Sequence, residues 1–150
     1  HFHNVLCLSE AKGMDIIMEN GKSVLQLNKL VFDEIKFKRL GLYSDKKLGL
    51  KFKSTISQRG NDDLYKVTLS VEGNKPEEYI FEISLTGYFA IVDKIQDDLK
   101  TDLLQKSAVA ILTSYLRSEV SLLTAQPGVE PVVLPPFNLN SSKSWRKLWK

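Results

Sequence analysis

A single cysteine, Cys7, and two histidines, His1 and His3, are all that 150 residues offer of those two types. One cysteine excludes an intramolecular disulfide and suits a reducing compartment. With the two histidines it makes a nominal metal set, but no second Cys-x-x-Cys or His-x-x-x-His element supports it. The cluster reads as a leader or tag remnant, and no metal is expected. Glycine is also sparse, 8 in all, and none falls into Gly-x-x-x-x-Gly-Lys, Gly-x-Gly-x-x-Gly or Gly-x-Ser-x-Gly. Phosphate-cradling loops and the hydrolase nucleophile elbow are thereby absent. The adjacent carboxylates Asp62-Asp63 fall in a turn, and Asp97-Asp98 mark a helix start whose dipole they complement. With no base or nucleophile in a catalytic context, neither enzyme activity nor a cofactor is expected.

Long apolar runs are missing too. No stretch approaches the roughly 20 residues that cross a bilayer. Val5-Leu6-Cys7-Leu8 is too short for a signal-peptide core and lacks a preceding Lys or Arg. A cytoplasmic location is the expectation. Nor is there a strong excess of either charge: the net value is +3, with acidic and basic residues interspersed, so no nucleic-acid partner is expected.

What remains, 43% hydrophobic in composition, is ordinary for one domain with a core. Residues 1–20 lack a sustained period and read as a leader, or a disordered or vector-derived segment, with Met14 and Met18 as alternative starts. Residues 21–150 read as a single domain. Four strands follow from alternation. The first carries Leu25, Leu27, Val31, Ile35 and Phe37, with Leu30 and Phe32 on the other face, so a bulge or a second buried contact is expected. The second turns Leu48, Leu50, Phe52 and Ile56 inward and Lys47, Lys51, Lys53 and Arg59 outward. Gly60-Asn61-Asp62 makes a turn. The third turns in Tyr65, Val67, Leu69 and Val71; Gly73 to Pro76 makes the next turn; the fourth turns in Tyr79, Phe81, Ile83 and Leu85. Gly87 reads as a bulge or bend. Short connections between alternating strands predict an antiparallel sheet with one packed face.

A long amphipathic helix is predicted over about Asp98 to Thr124. Its apolar side, including Leu104, Ala108, Ile111, Leu112, Tyr115, Leu116 and Leu122, fills an arc of roughly 180°, where about 100° would cover one sheet. The opposite side holds Lys106, Ser107, Thr113, Ser114, Arg117 and Ser121. The surplus points to a second packing partner, either another copy of the chain or the chain's own C-terminal strap. That strap, residues 126–140, places prolines at 127, 131, 135 and 136 among Val, Leu and Phe. Proline forbids helix there and discourages a central strand, yet the composition is too apolar for a solvated linker. Beyond it, Trp145, Leu148 and Trp149 share one face of a short basic helix. The readings open for this tail are a lid over an apolar groove, a membrane or partner anchor, and a terminal helix docked on the sheet.

The ordered set resembles SecB, the bacterial export chaperone, and its relatives. It comprises Leu-Gln-Leu-Asn-Lys-Leu and Glu-Ile-Lys-Phe in the first strand (25–37), three more antiparallel strands, Gly-Tyr-Phe-Ala-Ile (87–91), one long helix, and Leu-Pro-Pro-Phe-Asn-Leu. The resemblance covers about residues 24–140. It implies an α+β fold, a four-stranded antiparallel sheet with one long helix across it, followed by the Pro-rich strap and short terminal helix. It further implies subunits joined into dimers, and dimers packed helix to helix into tetramers, with Leu104, Ala108, Ile111, Leu112, Tyr115, Leu116 and Leu122 as the expected interface residues of the helix. Members are ATP-independent holdases that bind unfolded or pre-folded polypeptides in apolar grooves and hand exported ones to the SecA motor. Carried onto this sequence, the groove candidates are Phe32, Tyr88, Phe89, Val132, Val133, Leu134, Phe137 and Leu139, with Trp145, Leu148 and Trp149 as candidate lid residues.

Charge departs from the family's export members, which are acidic and present an acidic surface to SecA. This chain is net basic, with Lys47, Lys51, Lys53 and Arg59 along one strand, which speaks against the same SecA contact. Relatives of SecB also serve single clients, including antitoxins of toxin–antitoxin systems. A dedicated chaperone of that kind is the alternative within the family; an oligomeric binding or carrier module with a self-filled groove is the alternative from another class.

Overall fold

The computed structural model describes residues 18, 19 and 22–135, with side chains from Val24 onward. Met18–Glu19 (β1) and Lys22–Ser23 (β2) pair as a minimal hairpin. The main sheet comprises β3 (Leu25–Arg39), β4 (Gly49–Gln58), β5 (Leu64–Lys75) and β6 (Tyr79–Ile91), in the order β3-β6-β5-β4 and antiparallel throughout. β3 and β4 are therefore the two edges, and residues 40–48 cross from one to the other past the β5–β6 turn.

The central strands realise their alternation cleanly. Tyr65, Val67, Leu69 and Val71 on β5 and Tyr79, Phe81, Ile83 and Leu85 on β6 are all buried on one face. β3 carries the expected irregularity, with register shifts at Leu27/Lys29 and Phe32/Glu34. The second shift brings the Asp33 carboxylate to the outer face, where it accepts a 2.6 Å hydrogen bond from Thr86, itself 3.0 Å from the Thr68 hydroxyl. That chain satisfies Thr86, which is buried rather than outward in solvent.

Three local readings are corrected. β5 continues through Gly73 to Lys75, and the reversal is made by residues 76–78, with Glu77 at φ 72°. Gly73 is a strand residue beneath the Phe81 ring, which a Cβ would meet at 2.2 Å. Gly87 neither bulges nor bends its strand: it pairs with Val67 and Leu30 in register. A Cβ there would lie 2.6 Å from the Phe89 ring and 2.8 Å from a Leu112 methyl, so any side chain at 87 has to displace those two core groups. Ile56, expected inward, is exposed at the β4 edge, because the helix packs over β5 and β6.

The helix is continuous but not uniform: α1 (Asp97–Leu103), a π-helical turn (Leu104–Ala108) and α2 (Val109–Thr124). Asp97 and Asp98 occupy the first turn, where negative charge is favoured. Lys100 joins Asp63 at 2.8 Å, tying the helix start to the β4–β5 turn. Ser107 and Thr113, assigned to the polar side, are buried. The π turn holds an extra residue and rotates the face around Ser107, while Thr113 returns its hydroxyl to the Val109 carbonyl at 2.7 Å. Five of the seven helix residues assigned to an oligomer interface, Leu104, Ala108, Ile111, Leu112 and Leu116, are buried in the chain's own core. Tyr115 is half-buried, and Leu122 is 70% exposed.

Candidate functional site

After Thr124 the chain turns through Gln126–Val129, with Gly128 at φ +77°, a conformation that favours glycine. It then runs back along the helix as an extended strap. Val132 N–H donates to Thr124 Oγ1 (2.9 Å), Ser121 Oγ to the Val132 carbonyl (3.2 Å), and Arg117 Nε to the Leu134 carbonyl (2.9 Å). Val129 and Leu134 are buried and Val132 half-buried, while Val133 points away at 77% exposure. The strap thus covers the polar flank of α2, and its alternating residues divide between core and surface.

Arg39, the last residue of β3, holds the strap's root. Its Nη2 donates to the Gly128 carbonyl (2.8 Å) and its Nη1 to the Gly41 carbonyl (2.9 Å). One guanidinium thereby joins the strap to the connection between β3 and β4. That connection is fixed further by Glu78. Its carbonyl accepts from the Leu40 and Gly41 amides (2.7 and 3.1 Å), and its carboxylate accepts from the Ser44 amide (2.8 Å) and pairs with Lys75 (3.0 Å). Lys75, then the Ser44 amide, hold the Glu78 carboxyl below its ordinary value against the effect of burial, and Glu78 raises Lys75 in return. Beyond these anchors Leu42 and Tyr43 project, 88% and 78% exposed, with the Lys75 ammonium 5.9 Å from the Tyr43 ring centre. Adjacent exposed apolar side chains make this connection a candidate docking surface.

The inner face of β3 is the second apolar feature. Phe32 and Phe37 are half-buried, and Ile35 is 44% exposed. A depression of about 700 Å³ at this end of the sheet draws its lining from both faces, Ile35, Phe37 and Phe81 from the inner one and Ile80, Lys36, Lys38, Glu72 and Glu82 from the outer one. Within the four-stranded sheet β3 pairs with β6 on one side and stands at the end of the strand order.

Of the groove candidates, Phe32 lies on this strip, and Val132, Val133 and Leu134 lie on the strap. Tyr88 and Phe89, neighbours on β6, point to opposite faces: Tyr88 is exposed on the outer face between Lys29 and Lys66, whereas Phe89 is 1% exposed in the core. They do not meet in one site. Phe137, Leu139, Trp145, Leu148 and Trp149 lie outside the described residues. The sequence reading missed Leu42, Tyr43, Arg39 and Glu78. An apolar pair in a short connection, with no strand or helix period to absorb it, was the available signal for the first two.

Among the described residues no helix is long and apolar enough to cross a membrane. No family model matches the chain. Its sequence is 27% identical over 89 residues to SecB from Anaplasma marginale, 57% of this chain and 51% of that protein. It is also 32% identical over 57 residues to an uncharacterised protein of Methanocaldococcus jannaschii, 38% of this chain and 36% of the relative. The chain thus spans about half of SecB, and less of the archaeal protein. In structure it is similar to the SecB-like chaperone Rv1957 of Mycobacterium tuberculosis, solved with a ChAD peptide from the HigA1 antitoxin. The TM-score is 0.63, with 12% sequence identity, 75% of this chain and 87% of that one. Four antiparallel strands in the order β3-β6-β5-β4 with one long helix give this chain a SecB-like fold, and 57% of its length is similar in sequence to SecB.

Proposed function

We propose that the chain is an ATP-independent holdase that captures unfolded or pre-folded polypeptides on its apolar surface. The observation that carries this reading is the exposed pair Leu42 and Tyr43 on backbone anchored by Glu78, together with the partly exposed Ile35 of β3. Apolar burial is non-directional and contributes about 25 cal/mol per Å², so such a surface accepts many sequences. A backbone already fixed in place loses little further entropy on binding. An extended client that also pairs its main chain with a strand edge gains affinity without demanding a sequence. No nucleotide takes part in any of these interactions. The active form is a homo-oligomer, a dimer or tetramer, with the exposed Leu122 on the helix face offered to a neighbouring copy. Its place of work is the cytoplasm, and a SecA contact of the acidic-surface kind is disfavoured by the net charge of +3.

A narrower reading is favoured by the structural neighbour, a SecB-like chaperone solved with a peptide from an antitoxin. On that reading this chain serves one client, such as an antitoxin, rather than exported proteins at large. A carrier module whose groove is filled by its own strap is the remaining alternative.

Light scattering of a chemically unfolded, unrelated protein diluted into buffer without ATP separates these. A general holdase suppresses aggregation near stoichiometric amounts. Failure at several-fold excess removes that reading and leaves the dedicated-client and carrier ones, which binding of a candidate antitoxin then distinguishes. Size measurement in solution checks the assembly, and a strict monomer contradicts it.

A further inference from the structure

Beyond the turn at Gln126–Val129, whose Gln126 side chain donates to the Leu123 carbonyl (2.6 Å), three hydrogen bonds between α2 side chains and the strap all end on main-chain atoms of the strap: Val132 N, the Val132 carbonyl and the Leu134 carbonyl. None depends on a strap side chain. Their spacing has a geometric origin. Arg117 and Ser121 are one i,i+4 step apart, about 6 Å along the helix. The carbonyls they reach are two residues apart in an extended chain, about 6.6 Å. An antiparallel extended peptide therefore meets this flank in register, whatever its sequence, provided that apolar side chains alternate inward as Val132 and Leu134 do.

We propose that the α2 flank formed by Arg117, Ser121 and Thr124 is a main-chain-reading site for extended apolar polypeptide. The strap occupies it as a tethered pseudo-client, and an extended segment of a bound client takes its place. The inference rests on the chaperone reading and adds a second, gated site to it. The strap is suited to exchange. Its root turns at Gly128, a conformation that leaves a hinge between the helix and the extended segment, and Val133 already faces solvent. Its prolines at 127 and 131 reduce the entropy that it loses on docking, so the tethered segment competes well until a client of similar pattern is present. The exchange replaces like with like: apolar side chains against the same core, main-chain groups against the same donors.

Hydrogen exchange of the whole chain tests this, with a fluorescently labelled, reduced and carboxymethylated protein as the permanently unfolded probe. Saturating probe is expected to speed exchange of the Val132 amide at least tenfold while the β5 and β6 amides are unchanged. A Val132 amide that is unchanged or slowed overturns the proposal. Val132→Pro supplies an independent arm, since it removes the strap's N–H and leaves the flank intact. Probe affinity, read by anisotropy, is expected to rise threefold or more at unchanged circular dichroism. Adding Arg117→Ala and Ser121→Ala to that variant is expected to reverse the gain. Equal or weaker binding by Val132→Pro with native dichroism, or no loss on removing the flank donors, overturns the proposal. If Val132→Pro does not fold, the exchange experiment decides alone. Probe binding with an unmoved strap rejects the gated site and spares the chaperone reading; no probe binding by the unaltered chain rejects both.

Discussion

The middle of the sheet and its β3 end use apolar residues in opposite ways. Under the helix, β5 and β6 bury every inward side chain from Tyr65 to Val71 and from Tyr79 to Leu85, and Gly87 is bare so that Leu112 and Phe89 can close over it. At the β3 end, polar groups do the packing. Arg39, Glu78 and Lys75 fix the backbone while Leu42 and Tyr43 stand in solvent and Ile35 is half exposed. The contrast separates apolar surface that stabilises the fold from apolar surface that the fold merely presents. Substitutions in the first region should lower stability, and those in the second should lower binding.

The largest expected effect lies in the first region. Leu112→Ala removes a fully buried side chain between helix and sheet and should cost about 2–5 kcal/mol, read as a fall in the denaturant midpoint. Gly87→Val belongs beside it, since its side chain meets Phe89 and Leu112 below contact distance; overpacking of this kind costs about 1–3 kcal/mol.

The second region should respond in reverse. Leu42→Ser with Tyr43→Ser should leave the midpoint within about 0.5 kcal/mol, as exposed substitutions generally do. Affinity for an unfolded polypeptide should fall about tenfold, the ~1.4 kcal/mol that part of an apolar contact supplies. A loss of stability without a loss of affinity would reverse the assignment of this loop. Glu78→Gln tests the anchor: it keeps the shape but loses the charge facing Lys75 and the Ser44 amide. Client affinity should fall severalfold, with faster exchange confined to residues 40–46.

The smallest effect is the response to pH. Asp63 is held low chiefly by its hydrogen bond to Lys100, and Glu78 by Lys75. A lowered folded value gives stability that is complete above the ordinary carboxylate values, about 4, and is lost as the pH falls through the lowered values. Lys75 and Lys100 are raised, so their share is complete below the ordinary lysine value and disappears only as the pH climbs through the raised one. Client binding should therefore be flat across neutral pH and weaken in acid, with the exchange of residues 40–46 rising before that of β5 and β6.

The two regions also differ in how legible they were. Alternation revealed β5 and β6 because both strands pair on two sides and one face is wholly covered, so period 2 survives intact. Asp97-Asp98 marked the helix start for an equally local reason. The β3 end was not legible because its determinants are long-range. Glu78 anchors Ser44 from 34 residues away and Arg39 reaches Gly128 across 89, and neither pair leaves a local pattern. Glycine was misread at 73 and 87 because a strand glycine beneath an aromatic ring, or beneath a helix, looks like a turn or bulge until its neighbours are known. Tyr88 and Phe89 were placed together because residue type does not reveal the face. On the strap, apolar composition correctly pointed to packing, but which of Val132, Val133 and Leu134 faces outward depends on the Ser121 and Thr124 bonds.

The most direct test of the central claim is anisotropy of a labelled, reduced and carboxymethylated protein titrated with this chain, without nucleotide, beside the same protein in its native, disulfide-intact form. Saturable binding of the unfolded form, none of the native form, and an affinity reduced about tenfold by Leu42→Ser with Tyr43→Ser, the ~1.4 kcal/mol above, is the predicted result. Equal binding of both forms, or binding of the unfolded form untouched by those substitutions, contradicts the account.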